Sequence, residues 1–370
     1  MARHESRLPC RLRPAAAGLI ILLAASGVYA SQLSVPLPVG NYHLLLNDAY
    51  PIETSVSFHG SLLHWMDSLA GLNGAGMTAG KTERAHRIEF NHILGPPTER
   101  DREVLLGFAR ARIRFATDHA AGDIDALTVA FFEADTQKQA LAATAALLTD
   151  EELQDVRTAF DHFTARYREV WKDGTIPQRF LQRSARHKRR NALSRFLVKV
   201  ADFYGVSPHQ KPYPQVVLMP VVDGAGTHAQ AIGRHLLLEI RHWEDVIDET
   251  APLVHENAHL LFLRMDPRKV ERFVEIAEES SDVGLEAWQV LREALPTALG
   301  QGLAYEKFLP ERWSLDLPWY DREVVDHYAK RLYPLVKRAF ERGGNFDESF
   351  LRRALAVYPS SMGPVTPLSP

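Results

Sequence analysis

A single cysteine, Cys10, occurs among the 370 residues, so the chain cannot close an internal disulfide, and no thiol is available to its chemistry beyond the N-terminus. An excess of positive charge is also missing. With 43 Lys and Arg against 46 Asp and Glu, the formal net charge is −3, which gives no global electrostatic reason to bind nucleic acid. No internal repeat with a period of roughly 20 to 50 residues is visible, which excludes a solenoid. General disorder is excluded too, because 46% of residues are hydrophobic and 24% charged, as in ordinary globular chains. What is left is a globular protein long enough for one large or two ordinary domains.

The N-terminus differs from the rest. "MARHESRLPCRLRP" sets Arg3, Arg7, Arg11 and Arg13 against Glu5, and the small, apolar run "AAAGLIILLAASGVYA" follows. A basic region, an apolar region and small residues at Val28 and Ala30 form an export signal, with cleavage expected after Ala30. The alternative is an uncleaved anchor, although the run falls short of the roughly 20 residues that span a bilayer. Either way the remainder lies outside the cytoplasm, as a periplasmic or secreted bacterial protein, and touches a membrane only through that segment if it stays uncleaved. Cys10 departs with the signal, and the mature chain is more acidic.

Residues 31–90 read as mixed strand, turn and helix. Helical spacing recurs over 99–120 and 126–148. A clearer helix follows, with Thr149 as cap, Glu152 three residues on, an acidic first turn and Gly174 at its end. Another helix spans about 178–204 and contains the basic run "RSARHKRRNALSR", which reads as a solvated face. "YPQVVLMPVV" and "IGRHLLLEIR", joined through "DGAGTH", read as two strands. The tail after residue 358, "PSSMGPVTPLSP", is rich in Pro and Ser and reads as disordered. The division expected is residues 1–30 as signal, 31–205 as a mostly helical region, 206–358 as a catalytic region and 359–370 as tail.

The chemistry sits in "APLVHENAHLLF". Thr250 is a suitable N-cap, Pro252 is tolerated in the first turn, and Met265, Asp266 and Pro267 stop the helix. His255 and His259 lie one turn apart on one side, so both imidazoles can reach a single ion. Glu256, about 100° around the helix from His255, can meet a water on that ion without binding the metal. A metal lowers the pKa of its water, and a carboxylate free of the metal takes the proton and later passes it to the leaving amine. A helix carrying these three polar groups among apolar residues with no metal would leave them seeking partners.

A third protein ligand is required. Downstream, "EAWQVLREALPTALGQG" is helical, with Glu293 in "REALPTAL" and Gly300 and Gly302 near its end. At these two motifs the chain resembles the gluzincin group of zinc metallopeptidases, in which the third ligand is a glutamate on a following helix. The resemblance covers the region of these two helices. It implies zinc held by His255, His259 and Glu293, with Glu256 as general base and a peptide or protein as substrate. The fold it implies is α+β and predominantly helical, with a zincin-like catalytic domain in which a small sheet packs on the H-E-x-x-H helix.

The spacing departs from the group, which places its glutamate nearer the second histidine, where this chain has Glu278 and Glu279. Those lie in a helix fraying into a polar turn, whereas Glu293 sits among apolar residues, where an unpaired carboxylate would be costly. No G-x-M-E-N motif is present, so aminopeptidase specificity is not implied. The metzincin pattern is excluded, since "LLFLRM" follows the second histidine without its glycine and third histidine. Two histidines and a carboxylate favour Zn2+.

Peptide hydrolysis needs a donor for the developing oxyanion, and the gluzincin resemblance points to a C-terminal tyrosine or histidine. Tyr320 is the first candidate, with His327 and Tyr328 as the others. Asp248 and Glu249 are candidates to orient a ligand histidine. In zincins an extended substrate pairs with an exposed edge strand. "IGRHLLLEIR" is expected to fill that role, with Arg234 and His235 as candidate rim residues. The competing class is a non-enzymatic exported binding or scaffold protein with a structural metal site.

N-terminal sequencing of the exported protein should give Ser31 as the first residue, and treating the mature chain with iodoacetamide should leave its mass unchanged. Retention of residues 1–30 in the membrane fraction would replace cleavage with an anchor.

Overall fold

The apolar run ending at Val221 and the one beginning at His235 become neighbouring strands because both are rich in β-branched and leucine side chains that a two-sided core can cover. The computed structural model describes residues 41–45, 49–72, 95–117, 125–172, 178–179, 190–221, 229–241 and 249–358. Within these, strands β1 (Asn41–Leu45), β2 (Glu53–Ser57), β3 (Gln215–Val221), β4 (Ala229–Ile232) and β5 (His235–Arg241) form one sheet in the order β1-β2-β3-β5-β4. β2, β3 and β5 run parallel, while β1 and β4 are antiparallel to their neighbours. The protein is therefore α+β, mostly helical, with a small mixed sheet. β2 comes from the region before residue 206 yet is hydrogen-bonded beside β3.

The expected strand "IGRHLLLEIR" divides in two. Ile232 ends β4, a tight turn holds Gly233 and Arg234, and β5 starts at His235. β5 lies between β3 and β4, so it is interior, and among the described residues the edge on this side of the sheet is β4, with β1 at the opposite edge. His235 is consequently no rim residue. It is fully buried, with its ring tilted against Phe132 and its Nε2 3.5 Å from Glu133 Oε1. Arg234 is engaged by Glu53 at 3.0 Å and Glu133 at 3.3 Å.

Helices surround the sheet. α1 (Phe58–Leu69) follows β2 directly, started by the Ser57 hydroxyl, which accepts the Gly60 N–H at 3.0 Å. α2 is Glu99–Thr117, and residues 118–120 of the expected helix lie outside the described residues. The single helix expected over 126–148 is two, α3 (Ala126–Glu133) and α4 (Gln137–Thr144). Thr136 restarts the second by accepting the Gln139 N–H at 3.2 Å, a local bond that competes with helix continuation. α5 (Asp150–Trp171) starts with the expected capping box of Thr149 and Glu152, and at its end Lys172 is left-handed, with φ of 49°. Gly174 lies outside the described residues, as does most of the basic run before and within α6 (Arg190–Tyr204).

The C-terminal half contains α7 (Thr250–Leu263), α8 (Pro267–Ser280), α9 (Gly284–Thr297), α10 (Glu323–Arg342) and α11 (Glu348–Ala356). One apolar core runs through both halves, from Tyr50 to Tyr358, and includes residues of the sheet, α7, α9 and α10. Among the described residues, no helix is long and apolar enough to cross a membrane.

Several polar groups inside this core pair with one another across elements, which offsets the cost of burying them. Arg112 of α2 grips Asp67 of α1 with two bonds of 2.8 and 2.6 Å and also reaches Asp125 at 2.9 Å. His64 of α1 meets Glu239 of β5 at 2.7 Å. The Tyr50 hydroxyl, its pKa pushed up to about 12 by burial, donates to Asn257 Oδ1 at 2.8 Å. That bond fastens the segment before β2 to α7, the helix carrying the histidine pair.

Asp101 joins α2 to α5 by accepting from His162 at 2.6 Å and from Arg166. Burial pushes its carboxyl up, but bonds from His162, Thr98 and Arg166 outweigh burial and lower its pKa to about 2. A depressed carboxylate contributes stability that is present above its unfolded pKa of about 4 and lost as pH falls through the folded value. In urea unfolding at stepped pH, the stability gap between wild type and Asp101→Asn should be constant near neutrality and close between about pH 4 and pH 2. A gap unchanged across that interval would refute the role given to this carboxylate.

Candidate metal centre

α7 covers the observed span of 14 residues, Thr250–Leu263, but it does not start as expected. Thr250 is the first helical residue rather than the cap; Glu249 occupies the cap position and makes no side-chain capping bond. Both are buried, so packing rather than a cap fixes where this helix begins. Of the two acidic candidates for orienting a histidine, Asp248 lies outside the described residues and Glu249 is buried at the helix start. The helix stops at Leu263, and Asp266 and Pro267 then open α8, Asp266 accepting the Arg268 N–H at 3.0 Å.

α9 delivers the third group. It carries Pro296, which has no N–H to give to the preceding turn, and it passes into a wider π-helix, Ala298–Ala304, that packs on α7. Such segments are frequent at functional sites. Gly300 makes the approach possible: a Cβ there would stand 2.6 Å from the Ala251 carbonyl oxygen and 3.1 Å from His255 Cβ. The two backbones therefore touch at the turn bearing His255, and Glu293, two turns earlier on α9, reaches the imidazoles.

His255 Nε2 is 2.9 Å from Glu293 Oε1, His259 Nε2 is 3.5 Å from Glu293 Oε2, and the two Nε2 atoms are 3.0 Å apart. One donor atom from each residue lies within 4.8 Å of the others. Ligands at 2.0–2.1 Å in a tetrahedron stand about 3.3 Å apart, so these separations suit one small cation with a fourth position left over. The group His255, His259 and Glu293 could hold a metal ion.

The local electrostatics agree with that use. Burial pushes the Glu293 carboxyl up, but His259 and His255 outweigh it and hold its pKa well below the ordinary carboxylate value, so it is ionised at neutral pH. Burial pulls the His259 imidazole down, and the Glu293 charge, with Glu256 adding to it, raises it overall. His255 Nδ1, buried, finds no hydrogen-bond partner among the described residues. Glu256 is buried and close enough for its charge to act on both His259 and Tyr320.

The alternative ligands are elsewhere. Glu279 is exposed on α8, 3.9 Å from Arg272, and Glu278 is also exposed. Among the three candidate donors for an oxyanion, Tyr320 is at the site: its ring lies nearly parallel to that of His255, at 10° with centroids 6.2 Å apart. Burial, then the neighbouring Glu293 charge and a hydrogen bond to it, raise the Tyr320 pKa, so the phenol stays protonated. Tyr328 is instead a core residue whose hydroxyl donates to the Ala354 carbonyl at 2.9 Å, and His327 is exposed on α10.

Three participants were not identified from sequence. The Tyr50–Asn257 bond joins positions far apart in the chain, with no local signal. The tight contact at Gly300 had a signal, a glycine one turn beyond a helical proline, but nothing to say which helix it met. The loop before α10 that carries Tyr320 also holds Trp319, buried with its indole N–H donating to the Ser314 carbonyl at 2.8 Å, and no motif in the sequence marks it. No protein-family model matches the chain, and searches among curated proteins and solved structures find no match either.

Plasma-emission metal analysis after zinc loading should give about one ion per wild-type chain, as a three-ligand site implies. His255→Ala and Glu293→Ala should each lose it, while Glu279→Ala should keep it. Full retention in Glu293→Ala with loss in Glu279→Ala would reverse the assignment.

Proposed function

We propose that the protein is an exported zinc-dependent metallopeptidase of zincin-like architecture. The observation that carries this reading is the convergence of His255, His259 and Glu293 on one point, with Glu256 and Tyr320 beside it. The two histidines and Glu293 would hold the ion. When bound, zinc supplies Lewis acidity and brings the pKa of a coordinated water towards 7.

The remaining work falls to the chain's own groups. Glu256 takes a proton from the attacking water at its carboxylate and hands it to the departing amine nitrogen. The Tyr320 hydroxyl, kept protonated, donates a hydrogen bond to the carbonyl oxygen of the scissile bond as that oxygen gains charge. β4, an edge of the sheet among the described residues and packed on α7, would offer its outer backbone groups to an extended peptide, which replaces the role first given to β5. An acidic mature chain with an export signal accords with a peptide or protein substrate outside the cytoplasm rather than with a nucleic acid.

The test is a cleavage profile of a peptide library by the zinc-loaded protein, with and without chelator, beside Glu256→Gln. Chelator-sensitive cleavage is expected in wild type, and Glu256→Gln should retain zinc while losing at least about a hundredfold in rate. Undiminished cleavage by Glu256→Gln would end the mechanism, and a zinc-loaded wild type that cleaves nothing would favour a structural metal site.

A further inference from the structure

Tyr320 belongs to no regular element. It sits in the irregular stretch between Arg312 and α10, a placement that by itself would leave a phenol free to wander. A group meant to meet a developing oxyanion must be held in place beforehand. The neighbouring residue supplies that restraint. Trp319 is buried, its indole N–H donates to the Ser314 carbonyl at 2.8 Å, and its ring meets Tyr333 of α10 edge-on with centroids 5.6 Å apart.

The space for this indole comes from the π-helix. A Cβ on Gly302 would stand 2.8 Å from Tyr333 Cδ2 and 3.2 Å from Trp319 Cζ3, so a side chain there would push the indole or its partner aside. The backbone is fixed as well, since the Trp319 N–H donates to Asp326 Oδ1 at 2.5 Å. Asp326 is buried on the first turn of α10, and its second oxygen accepts from Lys330 at 2.8 Å. A charged acceptor makes the bond to Trp319 N–H stronger than a neutral one would. The chain leaves this anchored peptide directly into Tyr320, whose ring then lies over His255.

We propose that Asp326 is a positioning residue for Tyr320, acting through the Trp319 backbone N–H with the indole seated in the gap that Gly302 leaves. The catalytic part of this proposal rests on the metallopeptidase reading; the placement of the phenol does not. Asp326 bonds to Trp319 and Lys330, and Gly302 lies against Tyr333 and Trp319, so each acts on the phenol through Trp319. Their role is to hold the hydroxyl against the drift of a loop.

The experiment replaces Tyr320 by 3-fluorotyrosine and follows its fluorine resonance in the zinc-loaded, substrate-free protein. Asp326→Ala should move that line towards the position of the denatured protein, and Asp326→Asn, which keeps an accepting oxygen, should hold it near the wild-type position. Asp326→Glu retains the charge but displaces the acceptor by one methylene. It repeats the test in a conservative variant and should also shift the line. An unmoved line in a folded Asp326→Ala or Asp326→Glu protein overturns the proposal.

Kinetics supply the second readout. On a cleaved peptide, Asp326→Ala should lower kcat by about tenfold to a hundredfold with KM little changed, the cost of a misplaced catalytic group. Adding Asp326→Ala to Tyr320→Phe should cost nothing further, whereas losses that multiply would assign Asp326 a general structural role and overturn the proposal. If the wild type cleaves no peptide, the metallopeptidase reading fails while the fluorine line still decides the positioning.

Discussion

The close contact between α7 and the π-helix after α9 is the constraint on which the site depends. Two helices ordinarily pack with axes about 8–10 Å apart because side chains intervene. Here Gly300 removes the side chain on one partner, and the His255 turn of the other lies directly against it. This close approach brings a carboxylate on α9 within hydrogen-bonding distance of two imidazoles on α7. A larger residue at position 300 would have to separate the helices, and a shift of a few tenths of an ångström is already large compared with the tolerance of metal–ligand distances.

The same π-helix organises the other side of the site. Gly302, two residues on, makes room for Trp319 and thereby for the loop that presents Tyr320. Behind α7, the Tyr50–Asn257 bond ties the helix to the chain entering β2, and His64–Glu239 ties α1 to the interior strand β5. Buried polar pairs of this kind add little net stability over apolar packing, but breaking one partner is costly. They fix which surfaces of helix and sheet face each other, and so hold the histidine pair in one orientation relative to edge strand β4.

Much of the candidate site was legible because its strongest signals are local. His255, Glu256 and His259 fall within little more than one helical turn, so their mutual geometry follows from helix periodicity once the helix is granted. Glu293 could be preferred over Glu279 from its apolar surroundings alone, since a buried carboxylate needs a cation. The capping box at Thr149 was readable for the same reason: its partners are three residues apart. The misreadings share a different cause. Thr250 looked like a cap because of its residue type, but tertiary packing set the helix start. "IGRHLLLEIR" looked like one strand because its apolar residues conceal the turn at Gly233, and its edge position could not be known without the strand order. The break between α3 and α4 depended on a hydroxyl choosing a local acceptor role over helix continuation.

The sequence by itself determined the helix that carries the two histidines, the carboxylate beside them and the kinds of donor offered to an ion, because each of these is set within a few residues by the period of the α-helix and the chemistry of the side chains. Only the tertiary structure decided that Glu293 closes the group, that β4 is the edge, and that Tyr320 rather than Tyr328 or His327 faces His255. The first and the last of these join residues more than 30 positions apart in the chain, the strand order rests on how the whole sheet assembles, and all three are fixed by how closely elements can pack. Here that closeness is set by the missing side chains at Gly300 and Gly302, whose partners no local pattern in the sequence can name.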